Sequence, residues 1–298
     1  MASSLEAIGR QTRPLDLLVV VDNDDDPEVR ATVESQDLID TIYVGLRSNG
    51  GPARAFNTGL FALPPPGPDD LVVLFDDDDP PVATDSLQRL VDRFDERDED
   101  GAPVGGLGLH GGVLDVNRGR VRPPDGDRGL VPVDHLHGGY LPLYRHRAVH
   151  HVGGFDPRLF WGFEELDLGR RLTAAGLELL VDMDHWHDVA DLYPKASTRQ
   201  GVQIVVGSPT PGRYYSLRNL LRVLGRQRAW AAIAEVVAVR AIGKPLLGLV
   251  TRPGPAVANL AVNMLAVTDA ATGRLGRRDR FPAICGLVDA DPAPGRSR

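Results

Sequence analysis

The sequence predicts an α/β fold: one large domain on a largely parallel sheet, followed by a smaller helical segment. Three observations carry this reading. Two continuous apolar runs, Leu15–Val21 and Leu71–Phe75, end in acidic residues, as strands covered on both faces do. A further strand and a helix fall between them, giving the alternation of a parallel α/β sheet. With 298 residues and 42% apolar content, the chain can bury one substantial core and carry an appendage.

Taken in order, Leu15–Val21 is the first strand and Asp22 stands at its C-terminal end, where such sheets bind ligands. Asp22, Asp24 and Asp26 alternate as in a calcium loop. Pro27 stands where that loop needs glycine, however, and Val33 where it needs a bidentate Glu, so Asp22 reads as a strand-end acceptor of hydrogen bonds from a ligand. Thr41–Leu46 is the next strand and Pro52–Phe61 the next helix. The start of that helix at Gly50-Gly51-Pro52 permits close backbone approach and offers free N–H groups to an anion, with Arg54 as a charged partner; the same start also serves purely structural ends.

The four prolines of Leu63–Pro68 make a loop. Leu71–Phe75 then runs directly into Asp76, Asp77, Asp78 and Asp79. Leu87, Leu90, Val91 and Phe94 share one face of a helix over Asp85–Phe94, which the charged run DERDEDG is expected to end. Residues 104–145 show short apolar pieces separated by Gly and Pro, the pattern of a mixed sheet and its loops. A helix over Phe163–Ala175 closes at Gly176 and precedes a strand over Leu177–Met183. Tyr214–Arg228 reads as a basic amphipathic helix, with Leu217, Leu220, Leu221 and Leu224 on one face and Arg218 and Arg222 on another. Asp289–Arg298 has no periodicity and reads as a disordered tail.

The single cysteine, Cys285, excludes an internal disulfide framework and fits a reducing, cytoplasmic compartment. The first residues lack the apolar stretch of a secretory signal. Ala229–Val250 is interrupted by Glu235, Arg240, Lys244 and Pro245, which suits an interfacial helix better than a span. Charge is uneven: residues 1–194 hold 17 Lys/Arg against 36 Asp/Glu, whereas residues 195–252 hold ten against one. The acidic body argues against nucleic acid as a partner. The basic segment suits an anionic membrane surface or a lipid-linked phosphate, and equally a solvated helix face.

Four successive aspartates at a strand end repel one another unless donors or a cation neutralise them. Mg²⁺ or Mn²⁺ with a nucleoside diphosphate resolves the conflict; a solvated loop capping the helix at Thr84 or Asp85 is the plainer alternative. Glu164, Glu165 and Asp167 open a helix after Phe160, Trp161 and Phe163. Such carboxylates complement the helix dipole, and Asp167 pairs with Arg171 four residues on; functionally, one of them is a general base beside an aromatic sugar platform. In MDHWHDV, His185 and His187 point to one side if the strand continues, and one of them then completes a metal site.

In order and spacing, SLEAIGRQTRP, LLVVVDND, SNGGPARAFNTGL, LFDDDDPPVATDSL and VGGFDPRLFWGFEELDLGRRLTAAGL resemble the family 2 glycosyltransferases, especially bacterial rhamnosyl- and galactofuranosyltransferase-like members, over about residues 3–225. The resemblance implies a GT-A fold, the Rossmann-like mixed sheet of nucleotide-diphospho-sugar transferases, with a C-terminal helical appendage. The corresponding division is a catalytic domain at 1–205, a basic, membrane-associating helical region at 206–282 and a disordered tail at 283–298.

It further implies a nucleotide-diphospho-sugar donor held by Asp22, Asn49, Arg54, Asn57 and Asp77, and an acceptor held by Gly139, Trp161 and Phe163. Mn²⁺ or Mg²⁺ falls to Asp77, Asp79 and His187. Glu165 takes the catalytic-base position with Glu in place of the family's usual Asp, which leaves Glu164 and Asp167 as fallbacks. The expected reaction is inverting transfer to a hydroxyl of a glycan or polyprenyl-diphosphate-linked acceptor in cell-envelope polysaccharide synthesis. Its expected place is the inner face of the plasma membrane, with the helix at Tyr214–Arg228 facing the membrane or the acceptor. A catalytically silent nucleotide- or glycan-binding relative is the alternative. In the family a first strand precedes the helix that here begins at residue 3, so a start upstream of Met1 is expected.

Overall fold

The computed structural model describes residues 1–37, 39–99, 103–193 and 210–278. The chain forms two compact units: Met1–Val113, Arg122–Pro157 and Glu165–Lys195 make the first, and Leu114–Val121, Arg158–Glu164 and the chain from Ala196 on make the second.

The first unit opens with α1 (Ala2–Gly9), which buries Leu5 and Ile8, and continues through β1 (Leu18–Asp22), α2 (Pro27–Glu34), β2 (Thr41–Gly45) and α3 (Gly51–Ala62). β1 and β2 pair in parallel, with Leu18 opposite Thr41 and Asp22 opposite Gly45, as the alternating pattern requires. β3 (Leu71–Val73) and α4 (Ser86–Glu99) follow, then β4 (Val104–Gly108), β5 (Gly111–Asp115) and β6 (Arg120–Arg122), of which Leu114–Val121 is counted with the second unit, and β7 (Leu130–Pro132), β8 (His135–Leu136) and β9 (Leu143–Arg145). α5 (His146–His151), α6 (Glu164–Ala174), β10 (Glu178–Asp182) and α7 (Met183–Val189) complete the series.

Five strands form one sheet in the order β3-β9-β4-β10-β7, and β6-β5-β8 form another. β4 and β10 run parallel, while β9 and β7 run against their neighbours, so the sheet is mixed rather than mostly parallel. β4 is buried along its whole length, between a core of Leu87, Leu90 and Phe94 from α4 and one that includes Leu168 and Leu172 from α6.

Three expectations change. The runs at β1 and β3 read as strands covered on both faces, yet both are only half-buried; among the described residues β1 pairs with β2 and β3 with β9, each at the edge of its sheet. α4 continues to Glu99 through the charged run, since charges facing solvent do not break a helix and Arg93 pairs with Glu96 at 3.0 Å. The strand before MDHWHDV stops at Asp182, whose carboxylate accepts from the backbone N–H of His185 at 3.0 Å and caps α7. His185 and His187 therefore lie on a helix, where residues two apart diverge.

The second unit is helical: α8 (Pro211–Arg226), α9 (Trp230–Glu235), a π-helical stretch at Val236–Gly243, α10 (Lys244–Gly248) and α11 (Pro253–Thr272). Thr210 caps α8. Tyr214 and Tyr215 pack on Ala258, Val262 and Ala266 of α11, and the Tyr214 hydroxyl donates to Asp269 at 2.6 Å, with Arg278 paired to the same carboxylate at 2.9 Å. The wide turns of the π stretch leave a carbonyl at Ala241 that accepts from Asn263 at 3.0 Å. The two faces expected of α8 do not separate, because Arg218 is as fully buried as the leucines. No helix among the described residues is long and apolar enough to cross a membrane. The expected tail lies outside the described residues.

Candidate active site

The aspartates form a loop after β3 that is held by its neighbours in sequence and by α1. Ser4 donates to the carbonyl of Asp77, and Gln11 bridges the carbonyl of Ala83 at 2.9 Å and the N–H of Leu87 at 3.1 Å. Across the loop stand Gly138 and Gly139. The N–H of Gly138 donates to the Glu165 carboxylate at 3.2 Å. A side-chain carbon at Gly138 would lie 3.1 Å from both Asp76 and Glu165, and one at Gly139 would lie 2.5 Å from Asp79. Two side-chain-free positions thus let Asp76, Asp79 and Glu165 crowd one bend of backbone.

Electrostatics follow from the crowding. Burial, and then the charges of Glu165, Asp78, Asp79 and Asp77, push the Asp76 carboxyl up to about 7. Burial and the charge of Asp78 also raise Asp79, against the opposing pull of His137. This excess of hard oxygen donors, short of positive charge, is the chemistry that Mg²⁺ or Mn²⁺ fits. The expected trio is nevertheless not assembled: among the described residues no three His, Cys, Asp or Glu gather closely enough to hold a metal ion. His187 instead places its Nε2 2.9 Å from the carbonyl of Asp127.

Next to Asp79 lies a wall of rings. Tyr140 stands 4.9 Å from His110, 5.4 Å from Trp186 and 5.0 Å from Tyr193, and His137 is 5.6 Å from His110. Burial, with the Asp79 charge added, raises the phenols of Tyr140 and Tyr193, and burial beside His137 lowers His110 to about 4, so its ring stays neutral. The sequence reading missed this wall. Its one local signal was the run His135-Leu-His-Gly-Gly-Tyr140, but the partners at 110, 186 and 193 come from distant segments.

The other expected residues fall as follows. Glu164 opens α6 and is buried, and Asp167 is buried against Arg171 at 2.9 Å, with Arg171 also donating to the carbonyl of Val152 at 2.7 Å. Asp167 is therefore fixed within the fold by the pair the sequence suggested. Asp22 accepts from the N–H groups of Asp24 and Asp26 at 2.9 and 2.7 Å and from the Tyr43 hydroxyl at 2.8 Å, so its oxygens are engaged inside their own loop. Asn49 accepts from Gly51 at 3.0 Å, exposed Arg54 reaches Ser48 at 3.3 Å, and the buried Oδ1 of Asn57 has no partner among the described residues.

In the second unit, Trp161 and Phe163 belong to a strained loop: Phe160, Gly162 and Phe163 have φ of 67°, 81° and 66°. α8 holds it. The Asn219 amide reaches the carbonyls of Leu159, Trp161 and Gly162 at 3.0, 3.0 and 2.7 Å. Arg218 donates to Leu159 at 2.8 Å and to Asn219 at 2.9 Å and stacks over Tyr214 and Tyr215. Phe160 lies 4.8 Å from Tyr215, and the Trp161 indole covers Gly212, where a side-chain carbon would come within 2.8 Å. The arginine expected to face solvent or membrane is an internal brace.

Residues 1–128 match the family model of glycosyl transferase family 2. A 60-residue stretch is 47% identical to galactofuranosyltransferase GlfT1 of Mycolicibacterium smegmatis, spanning 20% of this chain and 20% of that relative. The fold is similar to that of S. aureus TarS (TM-score 0.51, 14% identity, 89% of this chain and 46% of that one). The mannosyltransferase PcManGT from Pyrobaculum calidifontis, solved with GDP-Man and Mn²⁺, also aligns (TM-score 0.47, 16% identity, 96% of this chain and 73% of that one).

Proposed function

We propose that this chain, which belongs to the family 2 glycosyltransferases, transfers a sugar from a nucleotide-diphospho-sugar to a hydroxyl of a glycan or lipid-linked acceptor with inversion at the anomeric carbon. The short likeness to a galactofuranosyltransferase favours a galactofuranosyl donor. On this reading the acceptor belongs to cell-envelope polysaccharide synthesis and the chain works at the inner face of the plasma membrane. One observation supports the reading: Glu165 and Asp76 both stand against Gly138 and Asp79 against the adjacent Gly139, so a proton acceptor lies beside a cluster of hard oxygen donors that suits Mn²⁺ or Mg²⁺.

In this mechanism the Glu165 carboxylate accepts the proton of the acceptor hydroxyl while that oxygen bonds to the anomeric carbon and the bond to the departing diphosphate breaks. Asp77 and Asp79 would hold Mn²⁺ or Mg²⁺, which when bound neutralises charge on the diphosphate. Gly138 orients Glu165 through its N–H. The rings at Tyr140 and Trp186 offer apolar faces to a sugar and exclude water beside the carboxylates. Trp161, 38% exposed, offers another such face in the second unit.

The test is a panel of UDP- and dTDP-linked hexoses with Mn²⁺, run on wild type and Glu165→Gln. Turnover of one donor and a loss of about 10²- to 10⁴-fold in the variant, with donor binding kept in calorimetry, supports the assignment. A variant as active as wild type removes Glu165 from the base role. Diphosphate binding without turnover of any donor favours the silent relative.

A further inference from the structure

Among the exposed apolar side chains, one group is contiguous. Leu246, Leu247, Leu249 and Val250 at the turn from α10 to α11 are 46%, 75%, 38% and 90% exposed. Single exposed leucines are ordinary on a protein surface, but four within five residues form a patch whose exposure to water is costly. Between Glu235 and Asp269 the chain has no acidic residue, while Arg240, Lys244 and Arg252 flank the patch. Arg240 and Lys244 are one turn apart.

These cations have little counter-charge: Glu235 acts on Arg240. Burial and the charges of Arg240 and Arg213 lower Lys244, and burial, with Arg120 nearby, lowers Arg240. None of Arg213, Lys244 and Arg252 forms an ion pair among the described residues. An apolar tip flanked by cations is complementary to a surface that is anionic outside and apolar beneath. A second copy of the chain would bring two basic rings together, and no described helix is built to span a bilayer.

We propose that the α10–α11 turn is a membrane-surface contact, with Leu246, Leu247, Leu249 and Val250 entering the interface of an anionic bilayer and Arg240, Lys244 and Arg252 meeting its lipid phosphates. This moves the contact expected at Tyr214–Arg228, whose Arg218 points inward, to a different part of the unit. It does not depend on the sugar-transfer reading, because its measurement needs no turnover.

The full chain is floated with vesicles of phosphatidylcholine alone and of phosphatidylcholine with phosphatidylglycerol. Wild type is expected to float with the anionic vesicles, and less so as salt is raised. L247D/V250D is expected to lose partitioning by at least about tenfold, and K244Q/R252Q by about tenfold. Because Leu247, Val250 and Arg252 are exposed and Lys244 is unpaired, the melting temperature of both variants should match wild type. Absence of wild-type flotation, equal recovery on neutral vesicles, or an L247D/V250D variant that still floats overturns the proposal. So does a dimer in light scattering that the same substitutions abolish without any vesicle binding, which assigns the patch to a second copy.

Discussion

The aspartate loop of the first unit and the Trp161 loop of the second are both stressed, and each handles the stress in an opposite way. Around Trp161 the stress is conformational, and the fold resolves it completely: three carbonyls find Asn219 and Arg218, and the rings find Tyr215 and Gly212. Around Asp76–Asp79 the stress is electrostatic, and no Lys or Arg among the described residues resolves it; carboxylates crowd together, with His137 opposing them at Asp79. A satisfied loop is scaffolding. An unsatisfied one has capacity left for a ligand that brings positive charge.

This contrast can be broken from either side. The largest effect is expected at the carboxylates: Asp79→Ala, or chelation of divalent ions, should reduce turnover by about 10³-fold or more, with little change in the melting temperature. A variant whose Mn²⁺ concentration dependence matches wild type would count against direct ligation. Second is Asn219→Ala, which strands buried carbonyls of a strained loop and should lower unfolding free energy by about 3 kcal/mol in urea titration. Equal stability would show the loop is held by its own packing.

Third, Gly139→Ala should push Asp79 aside and reduce turnover by about tenfold to thirtyfold while leaving Asn219-dependent stability intact. The smallest effect concerns pH. His135 is buried, and burial first, then the charge of His137, lowers it from 6.5 to about 3, although a hydrogen bond at Gly112 opposes the shift. The unfolded chain therefore takes up a proton that the folded chain refuses. The stability linked to His135 is complete above 6.5 and is lost as pH falls from there towards about 3. Between 6.5 and roughly 5.5 the loss is about 1 kcal/mol, and urea midpoints of wild type and His135→Asn across that window should converge as pH falls.

Much of the fold was legible. β2, α3 and β10 lie within a residue or two of their predicted bounds, because period and flanking Gly or Pro act locally. Errors arose where a local pattern met a competing contact. MDHWHDV looked like a continuing strand, but Asp182 capped a helix; LDLLVVV looked doubly covered, but its neighbours left β1 at an edge. For the site, the sequence named the aspartates, Glu165, Asp22 and His187, and the structure shows Asp22 and His187 hydrogen-bonded to other parts of the chain. His137, Tyr140 and Trp186 were not assembled in advance, since ring contacts between distant segments leave no periodic signal.

By itself, the sequence determined most of the helices and strands and where acidic and basic charge concentrate. Those properties depend on neighbours within a few residues. Tertiary structure alone decided which of these groups are satisfied: it turned Arg218 inward, against expectation, left Leu247 outward, and brought Glu165 and Asp76 together at Gly138. The physical reason is that burial and hydrogen bonding are set by whatever packs alongside, and a chain does not carry its neighbours in its local pattern.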